Sequence, residues 1–133
     1  MNKIFLFSIF IHFGCQASLN NDQWINSLQN PWNLTSEEFE VYLPQFQSKF
    51  PNYYDRIKAL NKWRLDTPYG LFCLGEERGV DKDPFIRNDS SDCTVHVLTT
   101  MAFAESTSYL EARKMIKKIH TFGNFFIFHL SII

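Results

Sequence analysis

DSSDCTVHVLTTMAFAES, Asp89 to Ser106, sets an acidic, hydroxyl-rich turn against an apolar run, with a cysteine at the boundary. The run reads as a buried helix from Cys93 to about Glu105, apolar at Val97, Leu98, Met101 and Ala104 or Ala102. Asp92 or Ser91 is a good cap, which puts Cys93 in the first turn. Backbone N–H groups there lack partners within the helix, and with the helix dipole they favour negative charge. At Cys93 the species so favoured is the thiolate, the nucleophilic form. The same N–H groups suit the oxyanion of a tetrahedral intermediate. Asp89 and Asp92 oppose ionisation, and a cysteine at a helix start also serves packing alone.

Moving outward, helix signals dominate. Thr35 and Glu38 form a capping box, with Leu34 and Phe39 spaced as its hydrophobic staple, and Pro44 is expected to end or kink that helix after Leu43. Asn52 to Leu65 is a second helix with Tyr53, Ile57, Leu60 and Trp63 as its stripe, broken by Thr67-Pro68-Tyr69-Gly70. Gly75 to Ser91 is a long polar loop. Ser108 and Glu111 form a second capping box, opening a helix with Ala112, Met115, Ile116 and Ile119 on one face and Gly123 beyond it.

The 133 residues suit one domain, and 45% hydrophobic with 20% charged residues is the composition of a folding chain. A net charge of -1 gives no argument for nucleic acid as a partner. Lys3, the apolar run Ile4 to Phe13 and the small residues after it have the layout of a secretory signal over residues 1–17. The run falls short of the roughly 20 residues that span a bilayer. Cleavage after Ala17 and lipidation of Cys15 compete. Membrane attachment is expected only through the signal or a lipid on Cys15, and the location is the periplasm or cell envelope.

Thr67-Pro68-Tyr69, a loop, then Arg87 and Ser91-Asp92-Cys93-Thr94 ahead of an apolar helix resemble the bacterial N-acetylmuramoyl-L-alanine amidase-like family, related to NlpC-type, papain-like cell-wall peptidases. The match covers about Asn52 to His120. It implies an α+β fold with Cys93 as nucleophile and Tyr69 lining the substrate site. It also implies peptidoglycan fragments or stem peptides as the substrate, cut at an amide bond, and no cofactor. The chain departs from the family pattern after the helix. The family's base is a histidine on a later strand, in an Arg-x-His-Phe or Arg-x-His-Tyr stretch. Here the chain runs IHTFGNFFIFHLSII, and no arginine follows Arg113. Residues 18–133 are therefore read as a partial amidase-like domain, mainly its helical half, with 121–133 an atypical tail. On that reading the chain is inactive. The alternatives are a catalytically dead wall-binding or interaction protein and a gene remnant.

Other candidates are weaker. His129 would need to sit on a strand facing the thiol. His96 lies one turn from Cys93, but a base on the nucleophile's own helix is foreign to the family, so it reads as a partly exposed helix histidine. Cys93, His96, Cys73 and His120 lack the paired spacing of a zinc site. A Cys73–Cys93 disulfide suits an exported chain. Arg78 and Arg87 either meet substrate carboxylates or are solvated, and Tyr69 reads equally as a core aromatic.

Overall fold

Thr35 opens the first long helix through both halves of its capping box. Its hydroxyl accepts from the Glu38 N–H at 3.3 Å, and its own N–H donates to the Glu38 carboxylate at 2.8 Å. Leu34 and Phe39, the staple pair, are both buried. This computed structural model describes residues 20–71, 74–77 and 80–130, with the backbone alone for 120–130. The expectations on residues 1–17, Cys15, Cys73, Arg78 and the side chains of His120 and His129 lie outside the described residues.

The elements are helix α1 over 20–27, a 3-10 turn at Pro31–Asn33, α2 at Ser36–Lys49, α3 at Tyr53–Trp63, α4 at Cys93–Ala104 and α5 at Tyr109–Leu130. Among the described residues there is no strand. The β features are isolated bridge residues, among them a parallel bridge between Tyr69 and Ser91. The α+β, papain-like architecture implied by resemblance is thus overturned: the described chain is all-helical. The physical reason lies after Ser106. Ser108 accepts from the Glu111 N–H, and Ala112 and Ile116 are buried one turn apart. A helix started this way meets no proline to stop it. Gly123 costs only about 1 kcal/mol relative to alanine inside a helix, so α5 continues through it to Leu130. The segment read as an atypical tail from 121 is helical as far as Leu130.

Two further expectations are corrected. Pro44 does not end α2, which runs on to Lys49. It sits on the solvent face, where water can take up the carbonyl that its missing N–H leaves free. The expected stripe of α4 holds in part: Ala102 and Ala104 are buried and Leu98 packs against the core. Val97 is exposed, while Val95, Thr99, Thr100, Ala102, Phe103 and Ala104 are buried.

The core is an aromatic stack. Phe39 lies 4.9 Å from Phe103 and 5.8 Å from Trp63 between ring centres, and Phe46 lies 5.0 Å from both Trp63 and Trp24. Such pairs add about 0.5–1.5 kcal/mol each beyond the area they bury. Two arginines run through this core. Arg56 donates from Nε to the Ala104 carbonyl at 2.6 Å and from Nη1 to the Phe50 carbonyl at 2.8 Å. Arg64 donates from Nη1 to the His96 carbonyl and to the Thr100 hydroxyl, each at 2.8 Å. Together they tie α3 to both ends of α4.

The long polar loop is organised and partly buried. The amides of Gly75 and Glu77 donate to the carbonyls of Pro84 and Asp83. Ile86 is buried in the core, and Asn88 donates to the Pro31 and Leu34 carbonyls. A Cβ on Gly75 would stand 2.8 Å from the Asp83 carbonyl oxygen, so that turn requires glycine.

Candidate functional site

Asp92 is the residue that caps α4. Its carboxylate accepts from the Val95 N–H at 2.8 Å, and its carbonyl accepts from the His96 N–H at 2.9 Å. This leaves Cys93 and Thr94 with first-turn N–H groups to which neither cap nor helix offers a partner. Cys93 is exposed and is a free thiol, and its Sγ lies 4.0 Å from the Thr94 hydroxyl.

The Thr-Pro-Tyr turn is brought to this helix start by backbone hydrogen bonds. The Ser91 N–H donates to the Pro68 carbonyl at 2.8 Å, and the Gly70 N–H donates to the Ser91 carbonyl at 3.2 Å. The bridge sets Tyr69 beside Ser91, two residues before the cysteine. Asp66 makes the preceding bend with φ 66°, a left-handed conformation that aspartate tolerates better than most residues. The outcome is an open depression of about 270 Å3 whose lining includes Tyr69, Cys93, His96 and Arg64. Tyr69 is 75% exposed, so it is not a core aromatic. The two residues singled out from sequence, Cys93 and Tyr69, share this one depression.

His96 lies in the same depression and is held from two sides. Its Nε2 is 3.0 Å from Asn61 Oδ1 on α3, and its carbonyl takes the Arg64 hydrogen bond. Burial first, and then the Arg64 guanidinium, hold the imidazole below its ordinary value, so the ring is neutral at pH 7. Arg64 is itself 1% exposed, and burial pulls its guanidinium down to about 10, which leaves it charged at neutral pH. Its Nε and Nη2 have no hydrogen-bond partner among the described residues.

Neither Asn61 nor Arg64 stands out in the sequence as a site residue. Both look like the polar face of an amphipathic helix, and the contacts that recruit them span about one quarter of the chain length. Arg87, a candidate for substrate carboxylates, instead pairs with Asp89 at 2.9 Å and lies 3.7 Å from Asp83. Among the described residues, no three His, Cys, Asp or Glu side chains gather as metal ligands, and no helix is long and apolar enough to cross a membrane. A larger depression of about 440 Å3 lies between α1, the end of α2 and α3. Its Lys62 and Asp22 side chains pair at 2.9 Å, and its lining has no cysteine, serine or histidine. The smaller depression is therefore where the chemistry gathers.

Compared with known protein families, with curated proteins and with solved structures, the chain matches none.

Proposed function

We propose that the protein is an exported cysteine-nucleophile amidase acting on peptidoglycan, of the N-acetylmuramoyl-L-alanine amidase-like kind. The observation that carries this reading is the exposed Cys93 thiol in the first turn of a capped helix, in one depression with Tyr69. A thiol in that position attacks an amide carbonyl. The first-turn amides of Cys93 and Thr94 face the oxyanion that forms, and Tyr69 offers a ring and a hydroxyl to the substrate. The leader over residues 1–17, by cleavage or through a lipid on Cys15, supports a target outside the cytoplasm.

A second reading is a wall-binding protein that uses the same depression without turnover. It is favoured by Tyr69, whose 75% exposure is that of a ligand-contacting ring on an open surface. The experiment that decides is release of soluble fragments from purified peptidoglycan. Release by the native chain and none by Cys93→Ala supports the amidase. Co-sedimentation with peptidoglycan, equal in both and without release, supports the binding protein.

A further inference from the structure

We infer that His96 is the proton acceptor for Cys93 and that Asn61 is the positioning residue that fixes its tautomer, a Cys93–His96–Asn61 relay built on two packed helices. This rests on the proposed nucleophile and gives it the base that the resemblance would have sought on a strand.

The geometry begins with helix spacing. Residues three apart lie on one face with Cβ atoms about 5–6 Å apart, and helical side chains lean back over the turn N-terminal to them. For His96 that turn contains Cys93. Both residues line the same depression. The far ring nitrogen, Nε2, reaches α3 and meets Asn61 Oδ1 at 3.0 Å. The oxygen of an amide accepts, so Nε2 carries the hydrogen and Nδ1, the nitrogen nearer α4, keeps its lone pair. In the resting structure His96 is not hydrogen-bonded to Cys93, but a neutral imidazole with that lone pair, lining the same depression as the thiol, acts as a general base once Nδ1 turns toward Sγ.

Arg64 is an independent observation at the same place. It lines the depression, is 1% exposed, and has Nε and Nη2 without a partner among the described residues. A buried positive charge with unused donors favours negative charge developing nearby, as thiolate or oxyanion. It equally disfavours a resting imidazolium. The proton therefore moves to His96 only as the carbonyl is attacked.

The steps balance. Nδ1 takes the thiol proton as the Cys93 S–C bond forms, and the carbonyl π pair becomes the oxyanion. The oxyanion collapses, the C–N bond breaks, and the imidazolium returns its proton to the leaving amine. Water then attacks the thioester, His96 takes the water proton, and collapse releases the carboxylic acid and the thiolate, which recovers the proton from His96. The net reaction is amide plus water to acid plus amine.

The test uses the full chain with p-nitrophenyl acetate, which reports acyl transfer to a thiol without requiring the wall substrate. The native chain is expected to give a burst of p-nitrophenolate that Cys93→Ala lacks. His96→Gln, with its helical circular dichroism unchanged, is expected to slow the burst about 10²–10⁴-fold, the usual worth of a general base. Asn61→Ala is expected to slow it less and to shift the His96 ring toward the other tautomer. Nitrogen chemical shifts of the native chain supply a measurement that needs no variant, and the expected form carries its hydrogen on Nε2. A native chain without a burst overturns the relay. So does a His96→Gln burst at the native rate, or a native His96 protonated on Nδ1. The amidase reading fails separately: a His96-dependent burst with no release from peptidoglycan sinks that reading and leaves the relay standing.

Discussion

The two ends of α4 are built for different purposes. At its C-terminal end Thr99, Thr100, Ala102, Phe103 and Ala104 are buried, and the Ala104 carbonyl receives Arg56 Nε and Gln47 Nε2 at 2.6 and 2.9 Å. At its N-terminal end Cys93, Thr94 and Val97 face solvent, and one carboxylate, Asp92, closes the helix. The Met101 and Phe103 carbonyls are taken by the Glu105 and Ser106 amides, and the Ala104 carbonyl has donors from two other helices. The exposed end leaves amides and a thiol open. The difference teaches that one helix can hold its well-packed, hydrogen-bonded positions at one end and leave an exposed thiol and open amides at the other.

The largest break in that comparison is at Arg56. Its guanidinium serves the carbonyls of Phe50, Pro51 and Ala104. Arg56→Met strands the Phe50 carbonyl and leaves the Ala104 carbonyl to Gln47 alone, so at about 1–3 kcal/mol for a stranded buried acceptor a loss of about 2–3 kcal/mol is expected in urea unfolding. Arg64→Met is expected to cost less, because two of its nitrogens already lack partners and a buried charge is removed with them. Equal losses would show that the C-terminal end is not the better satisfied of the two.

Asp92→Ala tests the other end. Removing a helix cap costs about 1 kcal/mol, and the same substitution frees the Val95 N–H. Stability is expected to fall by that amount while the thiol stays exposed. A loss as large as that of Arg56→Met would mean that the N-terminal end carries the fold as well.

A smaller effect comes from pH. The His96 ring titrates below its ordinary 6.5 because of burial and Arg64. Above pH 6.5 both folded and unfolded chains hold it neutral, and stability is full. As pH falls below 6.5 the unfolded chain takes up the proton first, so stability declines until the folded-state value is reached. The native chain should therefore lose more urea resistance between pH 7.5 and 5.5 than His96→Gln does. Matching losses would place the His96 ring in water rather than against Arg64. The carboxylates of Glu37 and Glu111 are lowered by their hydrogen bonds and act only below about 4.5, outside this window.

What could be read from the sequence is what is local. The Thr35–Glu38 box and the Asp92 cap each depend on residues within three positions, and each is present. Cys93 is singled out because it stands at a helix start and Tyr69 because the Thr-Pro-Tyr turn resembles the amidase-like family, and both line one depression. What could not be read depends on distant partners. Thr99 and Thr100 look like surface residues, yet they bury because Arg87 offers a carbonyl and Arg64 a guanidinium. Arg56 and Arg64 look solvated, yet carbonyls from other segments hold them inside. Pro44 looks like a stop, yet it falls on the wet face. The sheet was expected by resemblance alone, and no alternating stretch in the described chain supports one.

The smallest structural effect, and the sharpest contrast, is expected at Cys93. Its side chain is exposed, and its Sγ lies 4.0 Å from the Thr94 hydroxyl, too long for a strong hydrogen bond. Cys93→Ala therefore removes little buried area and strands no donor. Alanine is also the better helix former, by a few tenths of a kcal/mol. Urea unfolding should place the variant within about 0.5 kcal/mol of the native chain, as for most surface substitutions. Acylation by p-nitrophenyl acetate should vanish in the same protein. Those two outcomes together would mark Cys93 as kept for chemistry. A loss of about 2 kcal/mol on Cys93→Ala would instead make it a packing residue, and the division between the two ends of α4 would fail at its first position.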